Sequence, residues 1–204
     1  MHAAKMSGIN DWRDRSALVI GGGPIGLAMI LILRSLGAPK IYVSEPSETR
    51  QKQASNLADR VIDPTKEKVG DVVRDLTDGV GADVAFDCAG VKPAMWDGMD
   101  ALRRAGAYVN IAIWEAHFEP NVKNLIFKEL KIIGSMTYND EDFRDTVEMF
   151  SQGEYAGKFI GLDDMVTSRI LLEDLVKGGF EELVNQKDRH VKIMVTPKRE
   201  LLSA

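Results

Sequence analysis

The clearest chemistry in this chain lies in Gly21-Gly22-Gly23-Pro24-Ile25-Gly26, a G-x-G-x-x-G turn, and in Glu45 downstream of it. Each glycine has a separate physical task. Gly21 permits a tight strand-to-helix turn, Gly23 lets a pyrophosphate come up to the backbone, and Gly26 lets the helix lie close on the sheet. The amides of a helix N-terminus then face the phosphate charge. Pro24 suits the first helical position but has no N–H, which leaves Ile25 as the expected main pyrophosphate donor. A carboxylate about 20 residues past the glycines, here Glu45, is placed to accept both ribose hydroxyls of NAD. The glycine turn alone is weak evidence; strand, glycines, helix, strand and acid in that order are specific.

Other readings of this stretch are weaker. A glycine-rich turn also serves as plain α/β connection. S-adenosylmethionine enzymes use a related turn, usually with an acid just before glycines spaced G-x-G-x-G, whereas Ile20 precedes here. Residues 17–33 carry no charge. They still fall short of the roughly 18 apolar residues of a membrane span, and glycines and Pro24 interrupt them. A buried crossover helix accounts for them better.

The remaining reactive side chains are scattered. Cys88, His2, His117 and His190 are far apart in sequence, and a zinc site needs about three or four ligands, usually Cys or His. No metal site is expected. Cys88 reads better as a small buried hydrophobe than as a ligand. His117 could approach a cofactor from the loop after the fifth strand, but a solvated loop histidine is the simpler reading. Asp83 and Asp87 flank a strand with no base or nucleophile paired to them, so no catalytic residue is assigned.

The elements that must position the turn follow an alternating pattern. Ala17–Ile20 is the first strand, an apolar helix runs to Leu36 and stops at Gly37, and Ile41–Val43 is the second strand. Gln51–Leu57 reads as a helix, Arg60–Ile62 as a strand, and Lys66–Leu76 as a helix with Val69, Val72, Val73 and Leu76 at helical spacing. Asp83–Phe86 is a fourth strand, Pro93–Leu102 a helix, Ala107–Ile113 a fifth strand, Asn121–Leu130 a short helix and Lys131–Thr137 a sixth strand. This is the doubly wound α/β pattern of the Rossmann type, a six-stranded parallel sheet with right-handed crossovers. Ligands of such sheets sit at the carboxyl ends of the strands. After a helix at Glu141–Phe150, Gly153–Thr167 reads as irregular, Ile170–Asp174 leads into a helix continued by Phe180–Val184, and Val191–Val195 is a last strand in need of a partner.

Composition narrows the function further. With 204 residues, 45% hydrophobic and 28% charged, the chain can bury a core as one domain or one and a part. A net charge of −5 argues against nucleic acid or an acidic membrane surface as partner. The pairs Arg103-Arg104 and Lys198-Arg199 are isolated and read as solvated. One cysteine excludes an internal disulfide and, with no secretory or transit character at the N-terminus, fits a cytoplasmic setting.

The sequence resembles the C-terminal half of the medium-chain, zinc-type alcohol dehydrogenases, in particular the butanediol and sorbitol dehydrogenase branch. The residues carrying the likeness are SALVIGGGPIGLA (16–28), VSEP (43–46), GADVAFDCAG (81–90), ALRRAGAYVNIAIWE (101–115), KELKIIGS (128–135) and GFEELVNQKDRHVKIMV (179–195). HAAKMSGI (2–9) resembles the helix that precedes the dinucleotide domain there. By that likeness Glu45 takes the adenosine ribose and Arg50 lies beside the same sugar. Cys88, Ala89 and Gly90 with Ile111, Ala112 and Ile113 line the nicotinamide half, and Ser135 lies at its carboxamide end.

The resemblance also implies a division of the chain. Residues 1–15 are a helix and linker, 16–162 the NAD-binding domain, and 163–204 a segment returning to a GroES-like catalytic domain. That lobe, which holds zinc in full-length members, is expected to be absent here. The function implied is hydride transfer between NAD(H) and a secondary alcohol or vicinal diol such as 2,3-butanediol, the chain being inactive by itself. A stand-alone NAD-binding module without chemistry is the alternative, and a zinc-free reductase a weaker third. A homodimer is expected through the sixth strand, and no nucleic-acid or membrane partner.

Overall fold

The computed structural model describes residues 1–115, 117, 119–151, 165–186 and 189–202. The chain divides into two compact units, Met1–Tyr155 and Ala156–Ala204. The first is built on six parallel strands in the order β3-β2-β1-β4-β5-β6. They are β1 (Ser16–Ile20), β2 (Lys40–Ser44), β3 (Arg60–Ile62), β4 (Ala82–Asp87), β5 (Leu102–Asn110) and β6 (Lys131–Gly134). Helix α1 (His2–Met6) precedes the sheet. Helices α2 (Pro24–Ser35), α3 (Glu48–Ser55), α4 (Val69–Asp75), α5 (Lys92–Ala101) and α6 (Val122–Phe127) connect its strands, and α7 (Asp140–Ser151) follows it. This is the expected doubly wound α/β sheet. No described helix is long and apolar enough to cross a membrane.

Every residue of β1 is buried, so helices cover both faces of the sheet. Leu18 and Ile20 join Met95 and Met99 of α5 and Val69 and Val73 of α4 in one core cluster. Strand alternation turns Ala17 and Val19 to the other face, where α2 packs. At Gly98 α5 lies very close to the sheet, since a Cβ there would stand 2.3 Å from Ile20 Cδ1 and 3.4 Å from Tyr108 Cε2.

The N-terminus of α7 is closed by a reciprocal cap. Asn139 N–H donates to Asp142 Oδ2 at 3.1 Å, and Asp142 N–H donates to Asn139 Oδ1 at 2.8 Å. His2 Nδ1 reaches the same Asp142 Oδ2 at 2.7 Å and Lys5 Nζ reaches Oδ1 at 3.0 Å, tying α1 to α7. Burial acts against the Asp142 charge, but the Asn139 amide, Lys5 and His2 outweigh it and hold the carboxyl at about 2.

Several boundaries differ from the sequence reading. Strand β5 begins at Leu102 and ends at Asn110, rather than running from Ala107 to Ile113. Its early part bulges away from β4, where Ala82 pairs with Leu102 but Val84 pairs with Ala107. Its end is set by Asp87, whose carbonyl accepts both the Ile111 and Ala112 amides at 3.0 Å and turns the chain out of the sheet. Strand β6 stops at Gly134 rather than Thr137, and Thr137 adopts φ 55°.

The second unit supplies what its last strand requires. The last strand, β8 (Lys192–Thr196), does have a partner: it pairs in parallel with β7 (Val166–Leu171), from Val166↔Lys192 to Leu171↔Thr196. Most of the segment read as irregular, residues 152–164, lies outside the described residues. A 3-10 turn at Leu172–Asp174, a π-helical stretch at Leu175–Glu181 and α8 (Glu182–Asn185) link the two strands.

The tightest backbone approach in the first unit yields a test. A Cβ built at Gly26 would lie 1.9 Å from the Gly21 carbonyl oxygen and 3.4 Å from Val19 Cγ1. Backbone cannot yield as a side chain does, so Gly26→Ala should lose about 2–3 kcal/mol or more in urea unfolding. Gly134→Ala, where an added Cβ meets nothing within 4 Å, should stay within about 0.5 kcal/mol of the parent.

Candidate functional site

The order β3-β2-β1-β4 places the reversal of sheet winding between β1 and β4, and the crevice above their carboxyl ends is where such sheets take ligands. The glycine turn opens directly into it. Gly21 has φ 97°, which only glycine adopts without strain, and its N–H donates to Ser44 O at 2.8 Å. Gly23 is the N-cap of α2 and Pro24 opens the helix. A Cβ added at Gly23 would meet only Arg50 Nη1, at 3.9 Å. That open space beside a guanidinium, at the amino end of a 12-residue helix, forms a cradle with the charge and shape to receive an anion. Ile25 stands on its rim, 53% exposed.

Glu45 lies against this turn. Its Oε2 accepts the Gly22 N–H at 2.6 Å, its Oε1 accepts the Ser47 N–H at 2.8 Å, and the residue is 3% exposed. The Gln51 amide donates to the Glu45 carbonyl at 2.8 Å. The carboxylate is thus held before any ligand arrives. Each of its oxygens keeps one further lone-pair direction. Glu45, Arg50 and Gly21–Gly26 lie side by side.

On the other side of β1, the loops after β4 and β5 meet at Asp87. This residue is fully buried. Its Oδ1 accepts the Ala89 and Gly90 amides, each at 2.9 Å, and its Oδ2 accepts the Tyr108 hydroxyl at 2.7 Å. Burial, and then the nearby Asp87 charge, raise Tyr108 above the ordinary phenol range, so it stays a donor. Cys88 N–H donates to Ile20 O at 2.9 Å. Burial also raises its thiol far above the usual value, which suits packing rather than ligation or nucleophilic attack. Gly90 has φ 69°, and a Cβ there would stand 3.0 Å from Ala112 Cβ. The glycine turn abuts the same loop, since a Cβ on Gly21 would lie 3.4 Å from Ala89.

Beyond β5, Ser135 N–H donates to Asn110 O at 2.9 Å. Asn110 Nδ2 donates to Ala112 O at 3.0 Å and Trp114 Nε1 donates to Asn110 Oδ1 at 2.8 Å, shaping the 111–114 turn. Ile25, Ile111, Ile113 and Ser135 border one largely apolar groove of about 540 Å³, closed on another side by Met29 and Phe143. Asp87, Tyr108 and Asn110 were not singled out as organisers of these loops. The available signal was an acid closing an otherwise apolar strand directly before Cys-Ala-Gly.

The remaining polar candidates stay apart. His117 is exposed, His2 is engaged by Asp142, and His190 lies between Thr167 Oγ1 at 3.2 Å and Glu182 Oε1 at 3.4 Å. Among the described residues, no three His, Cys, Asp or Glu side chains are grouped to hold a metal ion. These donors do not fit a zinc site.

Comparison with known proteins agrees with this geometry. Residues 24–152 match the family of zinc-binding dehydrogenases. The chain is 36% identical over 202 residues to (R,R)-butanediol dehydrogenase of Saccharomyces cerevisiae, covering 96% of this chain and 51% of the yeast protein. It is 29% identical to sorbitol dehydrogenase of Halalkalibacterium halodurans, over 96% of this chain and 55% of that protein. The crystal structure of 2R,3R-butanediol dehydrogenase from Bacillus subtilis superposes with a TM-score of 0.85 at 32% identity, covering 97% of this chain and 54% of that one. The chain spans about half the length of these relatives. The glycine turn and the six-stranded sheet it opens from, together with these matches, make this chain a member of the zinc-binding dehydrogenase family, corresponding to its C-terminal, dinucleotide-binding half.

Proposed function

We propose that this chain binds NAD(H) across the β1–β4 crevice and orients it for hydride transfer with a secondary alcohol or vicinal diol, or the matching ketone. The observation that carries the reading is the open cradle at Gly23, flanked by the α2 N-terminus, Arg50 and the anchored Glu45 carboxylate. When bound, the nicotinamide supplies the hydride acceptor or donor. The protein's own groups do the rest. Backbone amides at the start of α2, with Ile25 foremost, neutralise the pyrophosphate. Glu45 accepts ribose hydroxyls through the lone pairs that Gly22 and Ser47 leave open. The loops 88–90 and 111–113 and Ser135 hold the nicotinamide half and keep water from it.

The names of the butanediol and sorbitol dehydrogenase relatives point the substrate class toward diols and polyols. The described Cys and His are too dispersed to hold a Lewis acid, so the 204-residue chain by itself is proposed to bind cofactor without turnover. Its one cysteine suits the cytoplasm.

Three measurements test the reading. Glu45 offers a negative charge where a 2′-phosphate would sit, so fluorescence titration should show tighter binding of NADH than of NADPH, by about tenfold or more. Equal affinity would displace Glu45 from the ribose site. Gly23→Val fills the cradle with little effect on packing, and should abolish NADH binding while unfolding within about 1 kcal/mol of the parent. The exposed edge strand β6, with Ile132 and Ile133 half-buried on it, should pair with a second copy. Light scattering at micromolar concentration should report a dimer, and a monomer would remove β6 as an interface.

A further inference from the structure

We infer that Tyr108 is a positioning residue for the nicotinamide half of the cofactor site, acting through Asp87 on the loops after β4 and β5. The inference rests on the proposed cofactor reading and goes beyond it, because Tyr108 lies wholly inside the sheet and touches no open space.

The argument begins with the direction of the ligand. Glu45 lies at the end of β2, on one side of β1, and the anion cradle lies at the start of α2. A dinucleotide anchored at those two points extends its other half over β4 and β5, on the far side of the winding reversal. The walls there are residues 88–90 and 111–113. Neither wall belongs to a helix or strand, so hydrogen bonds must fix its backbone.

Four of those bonds converge on one residue. The carboxylate of Asp87 holds the first wall through the Ala89 and Gly90 amides, and its carbonyl holds the second through the Ile111 and Ala112 amides. The carboxylate can serve the first wall only while its orientation is fixed, and the Tyr108 hydroxyl on Oδ2 fixes it. Tyr108 is itself held by packing, since its ring lies beneath Gly98 of α5, in the core cluster with Met95 and Met99. The contact therefore links a rigid core side chain to the Ala89–Gly90 part of the wall, beyond the Cys88 amide that Ile20 O of β1 holds. Removing the hydroxyl leaves a buried carboxylate oxygen without its donor. The carboxylate then gains by rotating toward water, and the Ala89 and Gly90 amides lose their acceptor. Because Ala89 abuts Gly21 and Gly90 abuts Ala112, that shift is felt on the nicotinamide side of the crevice. The cradle and Glu45 are fixed by other bonds.

The test is Tyr108→Phe in the full chain, with NADH and ADP titrated against parent and variant. ADP occupies only the cradle and the Glu45 side. NADH should weaken by about tenfold, the scale of a hydrogen bond to a charged group, while ADP stays within about twofold. A purely structural role for Tyr108 would weaken both alike or neither, and either result overturns the assignment. A parent chain that binds neither NADH nor ADP overturns the cofactor reading itself. Amide hydrogen exchange on the parent gives a check that needs no variant. The Ala89 and Gly90 amides should be strongly protected without ligand, and exchange at the rate of an open loop would overturn the assignment even if Tyr108→Phe failed to fold.

Discussion

The architecture of the site depends on how closely α2 can approach the turn after β1. A single methyl group at Gly26 would overlap the Gly21 carbonyl, so the helix meets the sheet with backbone against backbone. That contact points the amino end of α2 into the crevice and leaves the Gly23 cradle open between the helix and Arg50. The Gly22 amide is then free to turn toward Glu45 on the neighbouring strand. A wider separation would turn the amino end of α2 away from the crevice and break the bond that orients the acid. The glycines therefore act as one unit: one for the turn, one for the space, one for the approach.

On the opposite side of β1 the problem is different, and so is the solution. Residues 88–90 and 111–113 lie outside regular structure, and Asp87 fixes both, gathering the Ala89 and Gly90 amides on its carboxylate and the Ile111 and Ala112 amides on its carbonyl. A carboxylate is costly to bury unless its acceptors are satisfied. Asp87 satisfies that condition with three donors, two amides and a phenol. Asp142 uses the same device at the start of α7, where an amide, His2 and Lys5 offset the burial of its charge. In both places an acid that is polar in sequence works as a structural node inside the fold.

Much of the fold was legible in the residues because it follows from short-range physics. The alternation of apolar runs and helical spacings produced the strand and helix order, and the spacing of Gly21, Gly23 and Gly26 specified the turn from β1 into α2, since each of those features depends on neighbours close in the chain. The return segment was legible only in part. Ile170 and Leu171 read as the lead into a helix but end a strand, β7, because β8 offers hydrogen bonds from more than twenty residues further on.

What the sequence by itself determined was the fold class, the family and the glycine turn between β1 and α2. Tertiary structure alone decided where β5 ends, which strand partners β8, and which donors the Asp87 carboxylate gathers. The physical reason is the range of the interactions. A glycine turn or an amphipathic helix is specified by residues within one or two turns of chain. The end of β5 is instead set by the Asp87 carbonyl on β4, and the Asp87 carboxylate that holds residues 89 and 90 is itself met by Tyr108 of β5; these groups meet only once the sheet has closed, and a buried acid reads the same in sequence whether or not those partners arrive.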